Sequence, residues 1–449
     1  MNAPISAPVS KGRDWLDSWN PEDPKEWQSG LAWKTLWITT FNLTLCFISW
    51  FLVSALAPKL NNIGFSLSKE QLYWLIAMPG LAGGTLRLIW TFLPPIMGTR
   101  KLVTVTMALL LLPIVGWAIV VQIPSTPYYA LLLLAVLAGI GGGAFSGFMP
   151  STSYFFPKSK QGTALGLQAG IGNFGVSIVQ FVTPWIVGIA LLGGTLGASQ
   201  HFADPAKGID KSVWYQNAGY IWVPFVIVGI ALAWMLLRSV PVQARGLKEQ
   251  FDIFGNKHTW LMTVLYVMTF GTFSGLAAAF ALLINNVYGS AAFGAEGIDP
   301  LKYAFWGALV GSVARVATGP LADRIGGAPL TAVSAIGIAG GAVFTAFQLS
   351  PTSVDQFPAF FWGMMVIFFA AGVGNASTFK QMPMIFPPRQ AGGVIGWVSA
   401  IAAYGPFLVS VLLATIAPSA FFLGLAAFAL IGLVLTVAFY ARPGAEKKS

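Results

Sequence analysis

The chain has 449 residues, 56% hydrophobic and only 9% charged, with a formal net charge of +10. Soluble domains carry about 25% charged residues. A water-soluble globular fold is therefore excluded, and so are chemistries needing a disulfide, a Cys/His metal cluster or a Gly-x4-Gly-Lys-Ser/Thr nucleotide loop, because there is one cysteine, two histidines and no such loop.

In chain order, residues 1–32 form a polar tail with "WNPEDPKEW" at 19–27, which has neither the apolar stretch nor the small-residue cleavage site of a signal peptide. Apolar runs of about 20 residues, each long enough for a ~30 Å hydrocarbon core, then recur to the end. They predict spans at 33–57, 71–95, 102–122, 128–155, 163–193, 219–238, 259–285, 302–319, 328–349, 358–386, 391–417 and 420–441. The lone Cys46 falls in the first span, and the 50 glycines suit close helix packing in a membrane. The charged connection 239–258 divides the chain into a bundle at 33–238 and a second at 259–441, followed by a short tail, 442–449. The expected architecture is an all-α membrane protein of twelve transmembrane helices in two pseudo-symmetric six-helix halves.

Sorting Lys and Arg by side places seventeen on the face that holds both termini (Lys11, Arg13, Lys25, Lys34, Arg100, Lys101, Lys158, Lys160, Arg238, Arg245, Lys248, Lys257, Arg324, Arg389, Arg442, Lys447 and Lys448). Five lie on the other: Lys59, Lys69, Lys207, Lys211 and Lys302. Cytoplasmic loops carry such an excess, so both termini are expected in the cytoplasm. This bias accounts for most of the net charge and removes the case for a nucleic-acid partner.

Three of the 25 basic residues remain inside spans, Arg87, Arg315 and Lys380, while all fifteen acids fall in tails or loops. Buried charges must be paired or become neutral. With no anion supplied by the protein, the natural partner is a transported one. Arg87 lies eleven residues before Gly98, and Arg315 eleven before Gly326. At 1.5 Å per residue that is roughly 16 Å, about half the core thickness. The segments "GGTLRLIW" and "GSVARVAT" occupy equivalent second and eighth spans, so the arginines read as repeat-related partners at a midplane cavity. The alternative is that each arginine bonds helix carbonyls or snorkels, and snorkelling asks it to reach across half a bilayer. The guanidinium fork suits a small planar oxyanion. Lys380, in "STFKQMP", is seven residues before Pro387. At roughly 10 Å from the boundary it could snorkel, or, desolvated beside two fixed cations, carry a proton.

A second repeat pairs "MPSTSYFFPKSKQGTALGLQAGIGNFGVS" with "MPMIFPPRQAGGVIGWVSAIAAYGP"; Gly162, Gly166 and Gly170 fall on one helical face. The loop "GPLADRIGG" resembles the cytoplasmic signature of the major facilitator superfamily, although the equivalent "PPIMGTRK" lacks its aspartate. With "GLQAGIGNFGVS", the paired arginines and "GVGNASTFKQMP", essentially the whole chain resembles the nitrate/nitrite porters of that superfamily, the NarK type. The resemblance implies the major facilitator fold. It implies Arg87 and Arg315 as the anion clamp, Phe145 in "GGGAFSG" and Phe270 in "VMTFGTF" as rings sandwiching the anion, and Tyr266 and Asn173 as further contacts. It gives Gly166, Gly170, Gly172 and Gly374 packing and conformational roles. Without it, Phe145 and Phe270 would be lipid-facing or core residues among 34 phenylalanines.

Exchangers in that family lack a lysine in the segment matching "STFKQMP" and have a longer connection after span ten. Lys380, the short "FPPRQAGG" and the tail "WNPEDPKEW" resemble the importer branch. The expected function is secondary transport of nitrate, and of nitrite, by alternating access, favoured as proton-coupled nitrate symport for assimilation with Lys380 as proton carrier. Nitrate/nitrite antiport is the alternative, and a non-transporting anion receptor a distant one. No acid/base pair or nucleophile supports an enzyme. No cofactor or metal is expected. The expected partners are the anion, a proton and the lipid of a bacterial inner membrane, with the protein acting as a monomer.

Overall fold

The computed structural model describes residues 12, 14–241, 251–447 and 449. Part of the expected linker, and Lys11, Arg13, Arg245, Lys248 and Lys448, lie outside the described residues. Among the described residues, twelve helical spans follow in order: α1 (Ser29–Leu56), α2 (Lys69–Trp90), α3 (Pro94–Val120), α4 (Tyr128–Ser153), α5 (Lys158–Ile186), α6 (Asn217–Leu236), α7 (257–288), α8 (Ala304–Ile325), α9 (Gly327–Ala346), α10 (Phe357–Ile385), α11 (388–415) and α12 (418–441). Eleven of the spans are long and apolar enough to cross a membrane; α8 matches α2 in length, at 22 residues, but has Arg315 in its middle.

Local chemistry sets the ends. Ser68 and Gln71 form a reciprocal capping box at the start of α2, which satisfies two of the orphan N–H groups of a helix N-terminus. Asn256 caps α7. Gly326, at φ +89°, stops α8 in a conformation that glycine adopts without Cβ strain. This stop explains why α8 runs to Ile325 rather than to 319. Conversely α2 is interrupted after Trp90, because Pro94 and Pro95 lack the N–H groups that would continue its ladder, and after one more turn Gly98, at φ +74°, breaks the helix within the Pro94–Val120 range as Gly326 does after α8.

The two halves repeat one packing scheme. In the first, α2 packs on α4, α3 on α6 and α1 on α5; in the second, α8 packs on α10, α9 on α12 and α7 on α11. Small residues make this possible: Gly83, Gly139 and Gly142 bring α2 and α4 together, and Gly311 and Gly372 do so for α8 and α10. Cys46 is buried in α1 with its thiol 3.8 Å from the Met107 sulfur of α3.

The chain departs from regular α-helix at several points. α5 spans Lys158–Ile186 rather than 163–193, and after it strands β1 (Gln200–Asp204) and β2 (Ile209–Val213) pair as an antiparallel hairpin. Pro205 and Gly208, at φ +62°, form its turn. In α7 the helix widens into a π turn at Val267–Gly271.

The hairpin marks one face of the molecule and the ends of the chain mark the other. The described part of the polar tail, residues 14–28, forms a strap on the terminal face. Trp19 Nε1 donates to the Tyr154 carbonyl at 2.9 Å and Trp27 Nε1 to the Phe155 carbonyl at 2.9 Å. The Lys158 backbone N–H donates to Glu22 at 2.9 Å, placing a carboxylate on the positive end of α5.

The halves do not meet equally on the two faces. Along one face of α5, a Cβ at Gly170 would sit 2.5 Å from Val316 of α8, whereas at Gly166 and Gly162 it would meet nothing within 4 Å. Gly319 of α8 and Gly392 of α11 are equally open. Towards the hairpin face, a Cβ at Gly80 would be 2.6 Å from the Phe407 nitrogen and one at Gly84 2.6 Å from the Tyr404 ring, both on α11. The two halves are therefore closed on the hairpin face and parted on the terminal face.

Candidate anion site

Arg87 leaves the last turn of α2 where the chain meets glycines of α4. Gly143 would bring a Cβ to 2.8 Å of Leu86, so only glycine lets α4 lie this close. The fully buried guanidinium donates from Nε to the Gly142 carbonyl at 2.9 Å and from Nη1 to the Ser399 carbonyl of α11 at 2.8 Å. Its Nη2 has no partner. Arg315, 5% exposed, has a single long bond, 3.4 Å from Nη2 to the Tyr266 hydroxyl, and its Nη1 has none.

Aromatic rings stand where carboxylates would otherwise be. The Arg87 guanidinium lies 4.6 Å from the Phe145 ring, 5.3 Å from Trp50 and 5.4 Å from Phe270. Arg315 lies 5.5 Å from Phe379 and 6.0 Å from Phe270. Ring faces attract a desolvated cation by about 2 kcal/mol, less than the several kcal/mol that burying an ion costs. The deficit leaves a site poised for an anion. Phe270 stands between the two guanidinia, on the π turn, with Tyr266 stacked on it at 5.4 Å. Such turns re-aim side chains within a helix and cluster at functional sites.

The structure thus brings together Arg87, Arg315, Phe145, Phe270 and Tyr266. Asn173 on α5 is fully buried, and neither atom of its amide is bonded. Each such orphan costs about 1–3 kcal/mol. The glycines divide: Gly170 faces α8 across the halves, Gly172 meets Leu43 of α1, Gly374 meets Thr269 and Ser334 within its own half, and Gly166 is open. Lys380 lies in α10 as expected, half-buried and not free of partners. It follows Phe379 and so lies about 100° round the helix from it.

Trp50, Phe379 and the Ser399 carbonyl were not among the expected site residues. No spacing selects Trp50 or Phe379 from so many aromatics, and a carbonyl carries no sequence signal. Among the described residues, no cluster of His, Cys, Asp or Glu could hold a metal ion. The arrangement offers fixed positive charge, free N–H donors and flat apolar walls, which suits a small, flat anion.

Residues 38–354 match the Major Facilitator Superfamily. The chain is 64% identical over 439 residues to the probable nitrate/nitrite antiporter NarK2 of Thermus thermophilus, covering 96% of this chain and 98% of that one. It is 33% identical over 420 residues to the nitrate/nitrite transporter NarU of Escherichia coli (strain K12), covering 88% of each. Among solved structures, its fold is similar to that of a bacterial homologue of the human lysosomal transporter Spinster in an inward-facing, occupied conformation, with a TM-score of 0.65 at 15% identity over 91% of this chain and 97% of that one.

Proposed function

The chain belongs to the Major Facilitator Superfamily and to its nitrate/nitrite porters, and from that premise we propose that it exchanges nitrate for nitrite across a bacterial inner membrane by alternating access. The observation that carries this is the pair Arg87 and Arg315, both buried, each with an unpartnered guanidinium nitrogen, and bonded to carbonyls and a hydroxyl rather than to a carboxylate. A planar oxyanion would take its oxygens to these N–H groups, charge-assisted bonds of the stronger kind, while Phe145 and Phe270 cover its faces.

The same pair supports exchange. For an empty carrier to switch, the parted face must close over two uncompensated cations. The two guanidinia are already buried, so that step leaves them sealed together with no countercharge to offset their repulsion. A bound anion removes that term, so the carrier would cross loaded in each direction. The relative at 64% identity is itself described as a probable antiporter. A second reading is proton-coupled nitrate symport. It is favoured by Lys380, a basic residue within α10 that the anion clamp does not use.

The excess of Lys and Arg on the terminal face orients both termini to the cytoplasm, which makes the parted conformation inward-open. One chain supplies every site residue named, consistent with function as a monomer. The deciding experiment is nitrate uptake into proteoliposomes under an inward proton gradient, with and without internal nitrite. Uptake only with nitrite inside is expected. Uptake without it, accompanied by internal acidification, would establish symport. No uptake in either case, by folded protein, would assign the arginine pair to another anion.

A further inference from the structure

We propose that Asn375 on α10 is a third anion-binding group, from the second half, and that it sets the preference between three-oxygen and two-oxygen anions. The proposal rests on the nitrate/nitrite reading of the arginine site. It starts from an anomaly: Asn375 is fully buried, yet neither its amide nitrogen nor its carbonyl oxygen has a partner. Its neighbours are satisfied. Ser377 meets the Thr331 hydroxyl at 2.8 Å, and Thr378 donates to the Gly374 carbonyl at 2.6 Å. An amide left orphaned amid a completed network is the pattern of a group waiting for a ligand.

Helix register places it beside Arg315. α8 and α10 touch where Gly307 meets Phe368, and again where Gly311 meets Gly372. Both numbers rise by four between these contacts, so the helices run parallel and in step. Gly372 also meets Ala314, the residue before Arg315, so Arg315 lies level with residues 372–376, and Asn375 shares the Gly372 face of α10. Asn375 also lies one turn before Phe379, whose ring is 5.5 Å from the Arg315 guanidinium. Residues four apart share a helix face. In the other half Asn173 presents the same anomaly.

The chemistry follows from counting donors. The free nitrogens of Arg87 and Arg315 serve two oxygens. Nitrate has a third, which nitrite lacks, and an amide N–H donates to an oxyanion at no charge cost. With Asn375 Nδ2 on the third oxygen, the amide strengthens nitrate binding and leaves nitrite nearly untouched. Loss of one hydrogen bond to a charged group corresponds to roughly tenfold in affinity.

The test is KM for nitrate and for nitrite in proteoliposomes containing wild type, Asn375→Leu or Asn375→Ser. For Asn375→Leu, a nitrate KM raised roughly tenfold with a nitrite KM changed less than about threefold is expected. Asn375→Ser, which keeps a donor, should fall between; it decides the matter if the leucine variant does not fold. Equal shifts for the two anions, as a packing role would give, or no shift, overturn the proposal while leaving the site reading intact. If wild type carries neither anion, both fall together.

Discussion

The two faces of the molecule hold their halves in opposite ways. On the hairpin face, bonds cross between halves: Lys59 pairs with Asp299 at 3.8 Å, Ser290 donates to Asp204 at 3.2 Å, Lys207 donates to the Gly297 carbonyl, and deeper in Gln180 donates to the Ala277 carbonyl at 2.8 Å. On the terminal face, the bonds of the strap close within the first half, from Trp19 and Trp27 to the end of α4 and from Glu22 to α5. In the second half, Glu446 meets Lys257 at 2.7 Å and His258 at 3.2 Å, and Ser449 meets Gln381 at 3.0 Å. One face is a latch between bodies; the other braces each body separately. Rocking would then break hairpin-face contacts and leave the braces whole, with the arginines at the level where the two regimes meet.

The largest test removes the pivot. Arg87→Ala or Arg315→Ala forfeits charge-assisted bonds of about 1.5–3 kcal/mol each to the anion. One such bond corresponds to an exchange rate lower by about one to two orders of magnitude, read in proteoliposomes against unchanged elution of folded protein. Lysine should not restore it, because it lacks the fork.

The next compares glycines. Gly80→Ala forces a methyl onto α11. Overpacking of this kind costs about 1–3 kcal/mol, which falls on the hairpin-closed state and shifts the population towards hairpin-open. Gly166→Ala meets nothing in the present state, so any cost falls on the terminal-closed state and shifts the population the other way. Distances between spin labels at His201 and Glu296, both exposed on the hairpin face, would read both shifts. The same sign for both substitutions would break the comparison.

Lys59→Ala sharpens it at smaller scale. The pair with Asp299 is partly shielded, and its loss is worth about 1 kcal/mol, roughly a fivefold shift towards hairpin-open on the same labels.

The smallest effect is on a brace. Lys257 donates to Glu446, and that bond, ahead of the contact with His258, holds the carboxyl below its usual range. A carboxylate whose folded value is depressed stabilises above its ordinary range and loses that contribution as pH falls through the depressed value. Hydrogen exchange of the backbone at 442–447 should rise there, while the label distances on the hairpin face stay constant.

Much of this was legible beforehand for physical reasons. A membrane makes an unpaired arginine conspicuous, so Arg87 and Arg315 stand out from composition alone. The spans were legible because each must hide its backbone in lipid. The π turn beneath Phe270 was not, since one extra residue per turn leaves no compositional trace. Trp50 and Phe379 were hidden by the abundance of aromatic residues. Asn375 sat in plain view within "GVGNASTFKQMP", but only burial with no partner distinguishes a waiting amide from a satisfied one. The hairpin is polar and short, and only its Pro205 and Gly208 hint at a turn.

Cys46, the chain's one cysteine, is sealed within the first span against Met107. A buried thiol in apolar surroundings is chemically quiet. The protein therefore arrives with an almost blank background for maleimide and nitroxide reagents. A cysteine placed at Gly166, Gly319, His201 or Glu296 would be the one reactive thiol on the molecule, and every distance and accessibility change described here can be recorded on the native sequence plus one or two substitutions.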